Sequence, residues 1–152
     1  MENILIDCLQ RADRFWLLDG AMGTQLQKRG LPLGVQPETF NLTHPEVVTQ
    51  VHREYLQAGS NILYANTFGA NRKKQAGCSY TVEQVITAAI QNAKAASSGT
   101  DALVALDVGP IGELLEPTGT LTFEQAYDIF AEEMNAGIAA GADLIVLDVG
   151  MP

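Results

Sequence analysis

One pattern recurs four times along this chain: a short apolar run ends in a polar side chain, and a glycine follows within three residues. The polar residues are Asp19, Asn66, Asp107 and Asp148. The last three follow one another at intervals of 41 residues, and Asp19 stands 47 residues before the first of them. Short apolar runs indicate buried strands, and this interval accommodates a strand, a helix and two loops. The pattern therefore predicts a series of βα units and a parallel α/β fold.

The segments between the predicted strands carry helix signals. Thr43, Thr81 and Thr122 each begin a Thr-x-x-Glu/Gln pattern, which predicts a capping box at the start of a helix. His44 and His52 fall in the first of these helices and are interpreted as a first-turn residue and an exposed helix-face residue. Right-handed crossovers then predict four parallel strands in the order 1-2-3-4.

The last predicted helix contains an apolar stripe at helical spacing, which is expected to be buried. The stripe is formed by Phe123, Tyr127, Phe130, Met134 and Ile138. A shorter helix is predicted over residues 3–14. Cys8 within it is expected to pack in the core.

Composition limits the class of protein. The 152 residues are 47% hydrophobic and 18% charged, which favours one folded domain over residues 1–152. A net charge of −9 argues against binding nucleic acid or an anionic membrane surface. No apolar run approaches the roughly 20 residues of a membrane span, and no signal-peptide pattern is present. Cys8 and Cys78 lack metal-ligand spacing and are interpreted as free thiols of a cytoplasmic protein.

The strand ends are the candidate site, because parallel α/β folds bind ligands at the carboxyl ends of their strands. One aspartate at such an end is commonly a turn former or a helix cap. Four polar ends in phase favour a shared site, so Asp19, Asn66, Asp107 and Asp148 are expected to lie on one face of the sheet.

Three of these strand ends carry longer motifs that resemble those of the homocysteine S-methyltransferase family. The motifs are residues 18–24 (LDGAMGT), 66–72 (NTFGANR) and 107–113 (DVGPIGE). The resemblance covers about residues 15–148 and is nearest to the N-terminal part of the homocysteine-binding domain in the cobalamin-dependent methionine synthase branch. It implies that four βα units form the N-terminal half of a TIM (β/α)8 barrel, which needs roughly 250 residues when complete. The domain over residues 1–152 is thus expected to be incomplete at its C-terminal side.

The resemblance also implies a reaction, in which a methyl group moves to the thiol of homocysteine and gives methionine. The family holds zinc through three cysteines, and zinc favours the nucleophilic thiolate. Cys8 and Cys78 do not match those positions. No catalytic residue and no metal ligand is therefore expected in this chain, and no methyl transfer by the chain alone. The methyl donor stays open.

The substrate-binding residues that the resemblance implies are Asp19, Gly20, Met22, Asn66, Thr67, Phe68 and Asp148. Asp19 and Asp148 match acids that meet the substrate ammonium group. Asp148 stands where the family has glutamate, so its carboxylate is one methylene shorter. Gly20 and Met22 match positions whose backbone amides face the substrate carboxylate, whereas Asp107 is expected to be structural.

Two other interpretations remain open. A half-barrel exposes two strand edges and an apolar inner face, so the chain is also interpretable as a non-catalytic fragment or interaction module. Such a module needs the missing C-terminal half-barrel or pairs with itself as a homodimer. Residues 143–152 resemble the phosphoacceptor strand of receiver domains, but the acidic pair and the lysine of that family are not placed to support it.

Overall fold

The structure is a computed structural model that describes residues 15–148. The helix predicted over residues 3–14, with Cys8, lies outside this range, as does Gly150. The elements are α1 (Met22–Gln27), a 3-10 helix (Pro37–Thr39), α2 (Phe40–Thr43), α3 (Pro45–Gln57), β1 (Ile62–Tyr64), α4 (Val82–Ser97), β2 (Leu103–Val108), α5 (Phe123–Ala140) and β3 (Leu144–Leu147). No helix within the described range is long and apolar enough to cross a membrane.

The sheet has three parallel strands in the order β1-β2-β3. Leu63 of β1 lies opposite Val104 of β2, and Asp107 of β2 lies opposite Val146 of β3. α4 connects β1 to β2 and α5 connects β2 to β3, so both connections are βαβ units. The predicted α/β alternation and the sequential order of these three strands are confirmed.

The first predicted strand, residues 16–19, is not a strand in the structure. Leu18 forms a single parallel bridge with Ile62. The carbonyl oxygen of Leu17 accepts hydrogen bonds from the amides of Asn61 and Ile62, and the Asp19 amide donates to the Ile62 carbonyl. The chain turns at Gly20 directly after these bonds, which leaves too few residues for a ladder. The segment therefore lies where the predicted strand belongs, beside β1, but the described sheet has three strands and not four.

α4 is the central helix of the core. Its apolar face matches the prediction, because Val82, Val85, Ile86, Ala89, Ile90 and Ala93 are all buried. These side chains pack in one cluster with Val104, Leu106 and Val108 of β2. Capping boxes at Thr81 and Thr122 start α4 and α5, as predicted.

The capping box predicted at Thr43 is wrong. Thr43 ends α2, and its hydroxyl donates to the carbonyl oxygen of Thr39 at 3.0 Å. α3 starts at Pro45, and His44 is the N-cap residue, with φ of −140° and no side-chain capping bond. A residue before proline is disfavoured in the helical region, which moves the cap one residue past the threonine.

The buried stripe predicted on α5 is wrong for three of its five residues. Phe123, Tyr127 and Ile138 are 70%, 64% and 62% exposed, and the helix buries Ala126, Ile129, Glu133, Ala136 and Gly137 instead. A Cβ atom on Gly137 would lie 2.6 Å from Leu106 Cδ2. The helix therefore approaches the sheet through its small residues, which leaves these three side chains outside. Phe130 and Met134 of the predicted stripe are half-buried and pack against the core, as predicted.

Candidate functional site

A cavity of about 730 Å³ opens at the carboxyl ends of the strands. It is bordered by the turn after the Leu18 bridge, by the segment after β1, by Asp107 of β2, by Asp148 after β3 and by the 3-10 helix. Asp19, Asn66, Asp107 and Asp148 all line it, as their intervals in the sequence predict. The other positions implied by the family resemblance, Gly20, Met22, Thr67 and Phe68, border the same cavity.

Asp19 has an enclosed carboxyl group, with a side chain that is only 3% exposed. Its Oδ2 atom accepts a hydrogen bond from the Tyr64 amide at 3.1 Å, which fixes the carboxylate against the end of β1. The pKa of Asp19 is raised to about 7, chiefly by burial and to a lesser extent by the charge of Asp107, while backbone hydrogen bonds oppose the shift. A cationic ligand group beside Asp19 would favour its ionised form.

The turn at residues 20–22 brings backbone close to the cavity. The hydroxyl of Tyr55 donates to the Ala21 carbonyl at 3.0 Å, and a Cβ on Gly20 would lie 2.9 Å from that hydroxyl oxygen. Because Gly20 has no side chain, the Tyr55 hydroxyl can approach the turn closely enough to hydrogen-bond its backbone. The first-turn amides of a helix have no intrahelical acceptor, and α1, which begins at Met22, has no side chain that caps them.

Asn66 and Thr67 border the cavity, but their side chains brace its walls. Asn66 Nδ2 donates to the Pro37 carbonyl and to Asn41 Oδ1, both at 2.9 Å, and Asn41 Nδ2 donates to the Asn66 carbonyl at 2.8 Å. The Thr67 hydroxyl donates to the Asp107 carbonyl at 2.7 Å and accepts from the Asp107 amide at 3.0 Å. These bonds tie the 3-10 helix to β1 and β1 to β2.

Phe68 presents an aromatic ring at the cavity and is 41% exposed. The ammonium nitrogen of Lys74 lies 4.7 Å from the centroid of this ring, at the distance of a cation–π contact. A Cβ on Gly109 would come within 2.3 Å of the Phe68 carbonyl oxygen, so the absence of a side chain at Gly109 lets the two segments pass. The ring position thus depends on both neighbours.

Sequence reasoning missed Glu38, which lies in a segment interpreted as a loop. Glu38 is 3% exposed, and its Oε1 accepts the Gly69 amide at 2.6 Å. Its Oε2 is buried and has no hydrogen-bond partner in the described part of the chain. Burial raises the pKa of Glu38, and the charge of Lys74 opposes that shift. A proline followed directly by an acid, between Gln36 and Thr39, was the only signal for it in the sequence.

The charges around the cavity are unequal. Four carboxyl groups line it, those of Asp19, Glu38, Asp107 and Asp148. Among the described residues on this cavity, Lys74 is the one lysine or arginine. The pKa of Asp107 rises to about 6, chiefly through burial and then through Asp148 and Glu38. The arrangement favours a ligand that carries a positively charged group.

His52 was predicted on an exposed helix face, and this prediction is wrong. The residue is fully buried on α3, and its Nδ1 atom lies 3.8 Å from Asp19 Oδ2. Burial lowers the pKa of His52 to about 4, so the imidazole is neutral near pH 7. α3 buries Val48, Val51 and His52 together, a wider face than one stripe. His44, interpreted from the sequence as a first-turn residue, is the exposed N-cap residue of α3, and its ring stacks on Phe40 at 4.2 Å.

Metal-ligating side chains do not gather within residues 15–148. No group of three or more His, Cys, Asp or Glu side chains in this range is arranged to hold a metal ion. Cys78 is a free, partly buried thiol. The described residues therefore do not supply the three-cysteine zinc site that the family resemblance implies.

Comparison with known proteins identifies a family and relatives that are similar in sequence. The profile of the family described as Homocysteine S-methyltransferase matches residues 16–149. Betaine--homocysteine S-methyltransferase 1 of Danio rerio is 30% identical over 135 residues, which are 86% of this chain and 33% of that protein. Methionine synthase of Mycobacterium leprae is 44% identical over 66 residues, which are 40% of this chain and 6% of that protein. The chain thus spans a third or less of the length of these curated relatives.

Solved structures show the same fold. The metallated form of the homocysteine methyltransferase MmuM from Escherichia coli superposes with a TM-score of 0.77 at 25% identity. The match covers 95% of this chain and 56% of that chain. The oxidised form of the same protein superposes with a TM-score of 0.78. The chain therefore corresponds to little more than half of that solved structure.

Proposed function

The chain belongs to the homocysteine S-methyltransferase family, and we propose that its cavity binds homocysteine, whose thiol accepts a methyl group to give methionine. The observation that carries the proposal is the acid-rich cavity at the strand ends, where Asp19 is held by the Tyr64 amide. An amino acid brings an ammonium group to such a cavity, and burial makes the ionised form of Asp19 depend on that cation.

In this proposal Asp19 and Asp148 receive the ammonium group of homocysteine. The backbone amides of Gly20 and Met22 face its carboxylate, and Phe68 provides an apolar wall. Asn66 and Thr67 contribute by holding the wall, because their side-chain hydrogen bonds go to neighbouring protein groups.

We further propose that the chain, as one homocysteine-binding domain over residues 1–152, is the N-terminal half of a (β/α)8 barrel. The 56% coverage of the solved relative supports this. Zinc ligands of the family type would then come from outside residues 15–148, so we expect no methyl transfer at a family-like rate by this chain alone. The free thiol of Cys78 supports a cytoplasmic location.

An Asp19→Asn variant tests the binding proposal. The amide keeps the shape of the side chain but cannot take the negative charge that meets an ammonium group. A charge-assisted hydrogen bond contributes about 1.5–3 kcal/mol, so we expect homocysteine affinity to fall at least about tenfold. Asp128→Asn, an exposed acid on α5, is the matched control and should bind like the wild type. Calorimetric titration measures both, and equal affinity in the Asp19 variant would refute the proposed role.

A specific observation favours a second function. The outer side of α5 exposes Phe123, Tyr127 and Ile138, and Leu147 of β3 is 61% exposed. Exposed apolar side chains of this size are typical of interaction sites where they form a contiguous patch. The second proposal is a non-catalytic half-barrel module that binds a complementary half-barrel or a second copy of itself. A non-catalytic module would assemble without binding homocysteine, so calorimetric titration of the purified chain with homocysteine separates it from the enzyme-half proposal.

A further inference from the structure

His52 has no part in the proposed contacts with homocysteine, yet it touches the acid that carries them. Its imidazole is fully buried on α3, behind Asp19, and neither ring nitrogen has a hydrogen-bond partner among residues 15–148. Buried polar groups in proteins are nearly always hydrogen-bonded, and an exception calls for a reason. A side chain that only filled space here would be better apolar.

We propose that His52 is a positioning residue for Asp19: its Nδ1–H group faces Asp19 Oδ2 and stabilises the ionised carboxylate that receives a cationic ligand group. The inference rests on the proposed binding of an amino acid at Asp19. It adds to that proposal the residue that holds this acid in its binding form.

The geometry allows two hydrogen-bond donors to approach one oxygen atom, Asp19 Oδ2. Asp19 Oδ2 already accepts the Tyr64 amide at 3.1 Å, and His52 Nδ1 lies 3.8 Å from the same oxygen. A hydrogen bond needs a nitrogen–oxygen distance of about 2.7–3.2 Å, so a movement of less than about 1 Å makes the second bond. Ionisation of the carboxylate on ligand binding supplies the attraction for that movement.

The charges around Asp19, together with the neutral state of His52, determine how His52 changes the pKa of Asp19. The other titratable or charged side chains on this cavity are Glu38 of the 3-10 helix, Tyr64 of β1, Lys74, Asp107 of β2 and Asp148 after β3. Asp107 acts directly on Asp19 and opposes its ionisation. Burial keeps His52 uncharged, so its contribution is that of a neutral donor and not of a cation. A donor that favours the carboxylate lowers the pKa of Asp19 relative to a protein without it.

Three replacements of His52 separate this role from space filling. His52→Leu fills the site without a donor, His52→Asn places an amide near the position of Nδ1, and His52→Gln places one near Nε2. We expect the Leu and Gln variants to raise the pKa of Asp19 by about one unit, and the Asn variant to restore most of the wild-type value. His44→Leu removes an exposed imidazole and is the matched control.

Carboxyl-carbon NMR titration of Asp19 measures these pKa values without any ligand. The inference therefore stands or falls separately from homocysteine binding, which the Asp19→Asn titration tests. If wild type binds homocysteine, His52→Leu should bind it about tenfold more weakly at pH 6 and less than about twofold more weakly at pH 8.5, since Asp19 is mostly ionised there in both proteins. A variant that loses affinity equally at both pH values would have a structural defect only.

A measurement on the unaltered protein covers the case in which a variant fails to fold. Proton–nitrogen correlation spectra of the wild-type chain report which ring nitrogen of His52 carries the proton. We expect the proton on Nδ1 above the pKa of Asp19. A proton on Nε2, or an unchanged Asp19 pKa in a folded His52→Leu protein, would overturn the inference.

Discussion

Three carboxyl groups of this chain, those of Glu133, Asp19 and Asp107, have pKa values raised chiefly by burial. Glu133 on α5 is 1% exposed, and its Oε1 has no hydrogen-bond partner within residues 15–148. Burial raises the pKa of Glu133 from its ordinary value of 4.5 to about 8, although Lys74 opposes the shift. Asp19 and Asp107 are raised in the same direction. The folded protein therefore holds protons that its unfolded chain releases at lower pH.

The stability of the fold should consequently fall as pH rises. Because the folded pKa of Glu133 lies above its unfolded value, its contribution is fully present below about pH 4.5 and is lost through pH 8. Glu133→Gln should remove about 1.4 kcal/mol of this decline for each pH unit within that window. Urea unfolding at pH 5, 6 and 7 measures the slope. Glu124→Gln, an exposed acid of the same helix, should keep the wild-type slope, and an unaltered slope in Glu133→Gln would contradict the assignment.

Much of the site could be predicted from the sequence, because strand ends in phase share one face of a parallel sheet. That rule predicts that four residues lie together, and all four line one cavity: Asp19, Asn66, Asp107 and Asp148. It could not find Glu38, whose burial depends on a contact with Gly69 that is 31 residues distant in the chain. His52 was misplaced for a related reason, since a helix packed on two sides buries more than one stripe.

The N-termini of three helices show where the capping-box pattern predicts the start of a helix and where it does not. Thr81 and Thr122 cap α4 and α5, and each accepts the amide three residues on at 3.2 Å. Thr43 has the same pattern, but Pro45 displaces the cap to His44. The rotation of α5 was unpredictable for another reason: the preference for small residues at the sheet depends on the close approach of Gly137 to Leu106.

Threonine replacements test the assignment of the caps. Thr81→Ala and Thr122→Ala should each lower the free energy of unfolding by about 1 kcal/mol, the usual cost of losing an N-cap side chain. Thr43→Ala serves as the control and should cost less than about 0.5 kcal/mol, because its exposed hydroxyl caps no helix start. Equal losses in all three variants, measured by chemical denaturation, would mean that Thr43 is a cap after all.

At the scale of the whole molecule, the described sheet ends at β3, which pairs with β2 on one side only. Phe123, Tyr127 and Ile138 on α5 and Leu147 on β3 leave large apolar side chains exposed. At about 25 cal/mol per Å², a few hundred Å² of such surface represents several kcal/mol when covered. This is comparable to the stability of a whole domain, about 5–15 kcal/mol. Self-association is therefore the expected behaviour of the chain by itself.

Sedimentation at micromolar concentration checks this expectation. The wild-type chain should sediment as a dimer or larger species, and a Tyr127→Glu, Ile138→Glu double variant should shift toward monomer, because both changes place charge on the α5 surface. Leu33→Glu alters an apolar residue that is 88% exposed but lies in a loop before α2, and it should leave the assembly unchanged. A stable wild-type monomer would rule out the obligate dimer.

The central claim is that this cavity recognises an amino acid through its ammonium group. Calorimetric titration of the full chain at pH 8 with L-homocysteine and with 4-mercaptobutanoate, which lacks only the amino group, tests it most directly. We expect homocysteine to saturate one site per chain and the analogue to bind at least about tenfold more weakly, since the analogue offers Asp19 and Asp148 no cation. Equal affinities for the two compounds, or no saturable binding of homocysteine, would contradict the account.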